Sequence, residues 1–542
     1  MASALQWNYQ QPFTYTQYKE VITMSYDTII IGAGAAGAIL AARLTEDPSR
    51  SVLLLEAGPD FPNSADLPEE IRYHYSKPGN LWGRAFGPTT NYGWGYMATR
   101  TPVADPMFVP RGKIMGGSTA VNATIFFRGI PEDYDDWAAQ GNDRWSFREL
   151  LPFFCKNEQD RDFQNAYHGN DGPIPAWRFP RAVWTEESVA FYEACRAAGY
   201  PHCSDHNAPD AAGVGPLAHN NVDGIRWSTT LGYLDPARQR PNLTIQADSL
   251  VHRVLFDGHR AIGVLVEHQG KLSTIHADEI IVSAGAIASP HLLLHSGVGP
   301  ADDLRRLGID VVQDLPGVGQ NLRDHPQVLF VLRTKPEVPV SWLNPRLNLA
   351  LTYTATGSHL RNDMILIPSA NATEGGVTSD APPIGFYIVP SIYLAVGAGS
   401  LHLTSTDPHL QPALNYNYLA EEFDLRRLRE AVRITEALLA DPAFRAIVAE
   451  QISPAPVDLT SDAALDAWML RNVTTSHHSS STCKMGPASD RMAVVDQFGK
   501  VHGLAGLRVA DASIMPDCIR ANTNVTTMVI GERIADLIRQ GF

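Results

Sequence analysis

Cysteine is scarce. The five present (Cys155, Cys195, Cys203, Cys483 and Cys518) are odd in number and form no CxxC pair, which fits reduced thiols better than a disulfide framework or a zinc site. Basic clusters are missing as well. A net charge of −15 and a pI near 5.6 repel phosphate backbones and anionic lipid, so no nucleic-acid partner is expected. No apolar run reaches the roughly 20 residues of a membrane span, because the longest, Ile29 to Leu44, is interrupted by glycines. Residues 1–24 lack the apolar segment and small-residue cleavage site of a secretory signal, so they read as an extension and the protein as cytoplasmic.

What is present is a long, ordinary globular composition, 44% hydrophobic and 19% charged over 542 residues. A single core stops growing near roughly 250–300 residues, so two domains are expected. The segment "YDTIIIGAGAAGAILAARLTEDPSRSVLLLEAG" has the order of a dinucleotide site: a β-branched strand (Thr28–Ile31), Gly32-x-Gly34-x-x-Gly37, an Ala-rich helix, and a second apolar strand ending at Glu56. Gly32 permits the tight turn, Gly34 lets backbone approach a pyrophosphate, and Gly37 lets helix pack on strand. Glu56, 24 residues after Gly32, can accept ribose hydroxyls and would repel a 2′-phosphate, which favours FAD or NAD over NADP.

The motif alone does not separate FAD from NAD. Four further stretches do: "RGKIMGGSTAVNATIFFRG" (Arg111–Gly129), "GAIASPHLLLHSGVGP" (Gly285–Pro300), "LPGVGQNLRDHP" (Leu315–Pro326) and "HGLAGLRVADASIMPDCIRANTNVTTMVIGERIADLI" (His502–Ile538). Together with the glycine motif they resemble, in this order, the glucose-methanol-choline (GMC) oxidoreductases, the closing block most of all the choline-dehydrogenase-like bacterial branch. The resemblance implies an α/β fold: a Rossmann-type FAD-binding domain assembled from separated segments (25–150, 226–326 and 471–542), and an α+β substrate domain with an antiparallel sheet (151–225 and 327–470). It implies that Gly116, Gly117 and Ser118 bring backbone close to the flavin with Asn122 beside the ring. It places Val251 at the adenine and Asp511, Ala512 and Asn524 at the cofactor. Some choline-oxidising relatives bear a histidine, covalently bonded to FAD, just before that asparagine; here the residue is Val121, so non-covalent FAD is expected.

The stretch "SHHSSSTCKMG" (Ser476–Gly486) raises three readings: a metal, a hydrolase triad, or a base. Nothing nearby completes a metal set, the loop-borne "HCSDH" (His202–His206) does no better, and no G-x-S-x-G elbow surrounds these serines. No metal is expected. The family's H-x-x-G-T pattern aligns on Thr482 and Gly486, which puts His478 opposite the flavin, leaves Ser481 where glycine is usual, and makes Asn522 the second active-site residue. A neutral histidine, with an ordinary pKa of about 6.5, can take a hydroxyl proton while hydride leaves the same carbon. Asn522 cannot be the base, but its amide can orient the substrate oxygen. Adjacent residues of an extended segment point to opposite faces, so His477 reads as a pocket-wall or supporting histidine.

Choline-oxidising relatives have a glutamate two residues after the D-H histidine, where it pairs with the ammonium. Here that residue is Gln327. The expected substrate is therefore a neutral small-molecule alcohol, primary and aromatic or heteroaromatic before aliphatic, with oxygen or a quinone-like compound as electron acceptor. "NYGWGYMATRTP" (Asn91–Pro102) is a candidate lid or cofactor loop. Competing readings are a hydroxynitrile-lyase-like flavoprotein without redox turnover, an NAD-dependent reductase, and a non-catalytic flavoprotein. The light-driven decarboxylase branch depends on a cysteine that residues 327–470 lack.

Overall fold

A computed structural model describes residues 25–542; the extension read over 1–24 lies outside the described residues. Two sheets organise the chain. The first is seven-stranded, in the order Leu243–Gln246, Val52–Leu55, Ser25–Ile31, Lys271–Val282, Arg260–His268, Ser249–Asp257, with Leu507–Val509 also paired to Lys271–Val282. Ser25–Ile31 runs parallel to both its neighbours, in register Ile29↔Leu53 and Ile30↔Leu54. Ile29, Ile30, Leu53 and Leu54 are almost fully buried. A continuous apolar run of this kind belongs to a strand covered on both faces, and each such side chain contributes about 1.5–3 kcal/mol on burial.

The turn after the first strand explains its glycines. Gly32 has φ +98°, and a Cβ there would lie 2.5 Å from the Ser283 carbonyl oxygen of the adjacent strand end; at Gly37 it would lie 1.9 Å from the Gly32 carbonyl oxygen. Only glycine lets the helix Gly37–Leu44 start this close to the strand. The closing helix Thr523–Arg539 packs on Gly37–Leu44. Its buried Glu532 receives Arg43 and Lys156, each at 2.8 Å, and the Tyr233 hydroxyl at 2.9 Å. The last described helix is thereby fastened to the first described one.

The second sheet is eight-stranded and antiparallel: Val448–Ser453, Phe330–Thr334, Gly385–Ile392, Met364–Ala372, Leu349–Tyr353 and Gly213–Pro216, with Pro326–Gln327 joining Gly385–Ile392 to Thr474–Thr475. The helix Glu422–Leu439 covers one face. Strand alternation sends Ile367 and Ser369, and opposite them Val389 and Tyr387, to the other face, where they roof a cavity. The two sheets thus enclose one space, α/β below and antiparallel above. Among the described residues no helix is long and apolar enough to cross a membrane.

Candidate active site

A cavity of about 400 Å3 extends from the glycine turn to the second sheet. Gly32, Gly34, Glu56, Gly117, Ser118, Asn122, Val251, Gln327, His477, His478, Asp511, Ala512, Asn522 and Asn524 all line it. Gly37 does not, in keeping with its packing role. Gly116 does not either, although the sequence reading put it against the flavin. Its φ is +93°, its N–H donates to the Ala33 carbonyl at 2.9 Å, and a Cβ would strike the Thr230 hydroxyl, so it shapes the turn that presents Gly117.

The lower half has the features of a dinucleotide cradle. A Cβ on Gly34 would meet nothing within 4 Å, so its outer side is open. The helices Gly37–Leu44 and Thr523–Arg539 begin without a side-chain cap, and the residues just ahead of them, or in their first turn, line the cavity. Uncapped helix N-termini offer amide donors and a positive potential to a pyrophosphate. Asn524 Nδ2 is buried without a partner. Such a group calls for an acceptor that the protein does not supply, as a bound cofactor would.

Glu56 accepts the Ala33 amide at 2.9 Å and the Gly58 amide at 3.0 Å, and burial raises its pKa to about 7. Asp511 is committed to Gly285 N, Ser289 and Ser513 N, which pins the turn before the helix Gly285–His295. Val251 stands at a β-bulge of the strand Ser249–Asp257. Asn122 is held by a residue the sequence did not single out. The fully buried Arg226 donates to the carbonyls of Asn122, Ala120, Glu70 and Ile71, with a pKa lowered to about 9 by burial. Within the lid candidate, Trp94 and Tyr96 stack on one another at the cavity wall.

At the upper end the two imidazoles of His477 and His478 both reach the cavity. A pocket-wall place for His477 was one of the two readings, and the argument from opposite faces assumed an extended backbone. His477 has φ +70°, which breaks the strand alternation. Its carbonyl accepts Arg111 Nη1 at 2.7 Å, and its ring packs near Phe86. Ser481, where the family pattern has glycine, is also left-handed at φ +72°. The Asp324 carboxylate accepts the His478 amide at 2.8 Å, together with the hydroxyls of Tyr418 and Thr475.

His478 Nδ1 lies 2.9 Å from His325 Nδ1, and His325 Nε2 lies 2.8 Å from the Ile519 carbonyl. A carbonyl only accepts, so Nε2 of His325 carries the proton and its Nδ1 has the lone pair. His478 must then donate from Nδ1, which leaves its Nε2 as the free base. Burial pushes His325 down to about 4 and holds His478 well below the usual histidine range, aided by the neighbouring His325, His477 and Arg111, so both are neutral near pH 7. Asn522 Oδ1 accepts the Tyr393 hydroxyl at 3.2 Å, and Tyr393 stacks on His325 at 4.3 Å. His325 and Arg111 stood in quoted motifs without a role, and Tyr393 had no signal at all.

The roof is mostly apolar: Trp82, Phe86, Leu329, Ile367, Tyr387 and Val389. The acids that line the cavity among the described residues are Glu56 and Asp511, both at the cradle end. Gln327 donates to the Thr475 carbonyl at 3.1 Å and accepts the Ser476 hydroxyl at 2.8 Å, so a neutral amide stands between backbone and hydroxyl.

Fold and cavity together define a dinucleotide-dependent oxidoreductase. The family model described as GMC oxidoreductase matches residues 26–327 in its N-terminal part and 395–531 in its C-terminal part. The chain is 39% identical to the oxygen-dependent choline dehydrogenase of Stenotrophomonas maltophilia (strain K279a), over 95% of both chains. Pyridoxine 4-oxidase from Mesorbium loti superimposes with a TM-score of 0.86 at 28% identity, over 95% of this chain and 99% of the other. A fungal aryl-alcohol oxidase gives 0.78 at 25%, over 95% and 99%. The chain belongs to the GMC oxidoreductases: it is an FAD enzyme acting on CH–OH donors.

Proposed function

We propose that the protein oxidises a neutral primary alcohol, aromatic or heteroaromatic, to the aldehyde, and that oxygen accepts the electrons. Gly34, Glu56, Gly117, Ser118, Val251, Ala512 and Asn524 would hold FAD without a covalent bond, Val121 standing where some relatives have the linking histidine. Bound FAD supplies the hydride acceptor. His478 Nε2 takes the hydroxyl proton, Nδ1 remaining fixed on His325, while the Asn522 amide nitrogen donates to the substrate oxygen and its Oδ1 stays on Tyr393. The apolar roof excludes water and presents aromatic faces to the substrate's ring.

The observation that carries the substrate class is the charge of the upper chamber. Choline is the substrate named for the curated relative, and its fixed cation would find Gln327 and apolar walls, with both lining acids at the other end. Aromatic faces alone offer such a cation about 0.5–2 kcal/mol. Two of the structural relatives, pyridoxine 4-oxidase and aryl-alcohol oxidase, are named for ring-bearing alcohols, while formate oxidase, with a TM-score of 0.86, is not; the curated relative's name specifies oxygen. The test is anaerobic mixing of the flavoprotein with benzyl alcohol, a pyridine methanol, choline and an aliphatic alcohol in turn, followed by air. Bleaching of the flavin fastest with the ring alcohols, and rapid recovery in air, is expected. Choline bleaching well ahead of benzyl alcohol would overturn the substrate class, and slow recovery would replace oxygen by another acceptor. No bleaching with any of the four would favour a lyase-like protein.

A further inference from the structure

Away from the catalytic imidazoles, the cavity ends among a second group of histidines. His252, on the strand Ser249–Asp257, and His409, in the loop after Ser405, each direct Nε2 at one oxygen, Oε2 of Glu267, at 2.9 Å and 3.0 Å. Their ligand atoms all lie within 4.8 Å of one another. Glu267 belongs to the strand Arg260–His268, paired with that of His252, so two of the three are fixed on one sheet. The spacings of 15 and 142 residues gave the sequence no motif to read.

We infer that His252, Glu267 and His409 form a site for a divalent transition metal of the Zn2+ class, which clips the loop of His409 to the sheet and closes the adenine end of the cavity. Two imidazoles and a carboxylate, with a fourth position left to water, are a recurrent zinc set. Ligands at roughly 2.0–2.1 Å in a tetrahedron stand roughly 3.3 Å apart, a few tenths of an ångström beyond the present hydrogen bonds. Asp407, whose carboxylate accepts the His409 amide at 2.9 Å, adds negative charge close by.

Among the described residues a second cluster, Glu158, Asp160 and His168, differs in kind: it has two acids and one imidazole, and Arg128 and Arg178 already pair with its carboxylates. At the proposed site the partners are the two imidazoles. Closure follows from the loop's position, since Pro408, His409 and Leu410 line the cavity beside Val251, and Gln411 anchors the loop's far side to both backbone groups of Met97.

The test uses tag-free, FAD-loaded protein titrated with ZnCl2 by calorimetry. One Zn2+ per chain is expected, weakened in His409→Ala and Glu267→Gln by more than the roughly 10–100-fold that an outer-sphere partner is worth. His409 is half exposed, so its truncation leaves the fold intact. Binding no tighter than that of His409→Ala overturns the site. The second readout is FAD release after dilution, followed by flavin fluorescence. Saturating Zn2+ should slow it in the parent and leave His409→Ala unchanged; equal release with and without Zn2+ in the parent overturns the clip.

Discussion

Replacing His325 by phenylalanine isolates the proton arrangement at the catalytic base. Phenylalanine keeps a flat ring against Tyr393 but has no nitrogen to accept from His478 Nδ1. Two hydrogen bonds are lost, that of His325 Nε2 to the Ile519 carbonyl and that from His478 Nδ1, and the second is the one that selects the tautomer with a free Nε2. A bond of this kind is worth about 0.5–1.5 kcal/mol net, or about 2- to 13-fold in the population of the reactive tautomer. His478→Ala, by contrast, removes the base itself and should cost about 10²–10⁴-fold. The assay is the rate of anaerobic flavin reduction at saturating benzyl alcohol, with FAD content measured in each variant. If His325→Phe falls as far as His478→Ala, the proton goes to His325 and the roles are wrong. If it does not fall at all, the imidazole pair does not set the tautomer.

Asn522→Ala should lower the same rate by about 10²–10³-fold, less than His478→Ala, because it removes an orienting donor and leaves the base in place; the reverse order in stopped-flow reduction would contradict this assignment. Gln327→Glu puts a carboxylate into a chamber whose walls are mostly apolar and should raise kcat/KM for choline relative to benzyl alcohol about tenfold, a modest share of the roughly 4 kcal/mol available to a close partly buried ion pair. Ser481→Gly should raise thermal stability by about 1 kcal/mol, since a left-handed backbone strains any residue with a Cβ, and an unchanged melting temperature would count against that strain. His168 sits among Glu158, Asp160 and Asp205, with Arg128 and Arg178 completing a cluster balanced only when it is protonated, and these carboxylates raise its pKa to about 11. Its stabilisation is therefore full below the unfolded value of about 6.5 and is lost as pH rises towards 11. His168→Leu should cost about 3–5 kcal/mol at pH 7 and remove that alkaline limb from the melting curves.

Much of the cofactor half was legible in the sequence because its constraints are local. A glycine whose Cβ would collide with a carbonyl one strand away, as at Gly32, leaves its mark at a fixed offset from a β-branched run and an Ala-rich helix. The tandem histidines could be reduced to one candidate base by pattern, but strand alternation could not place His477, since a single left-handed residue cancels the alternation on which that argument stood. Gly116 could not be told from Gly117, because which of two consecutive glycines faces a ligand depends on one backbone torsion.

The amino-acid sequence by itself determined the dinucleotide turn, the family and the residues proposed for proton transfer. Tertiary structure alone decided which imidazole nitrogen is the free base. That choice passes from the Ile519 carbonyl through His325 to His478, across 194 and then 153 residues of chain. It likewise decided the chamber's charge, which depends on which faces of distant strands meet, and the convergence of His252, Glu267 and His409. Hydrogen-bond direction and electrostatic sign are properties of atoms within a few ångströms, and only folding brings these atoms together.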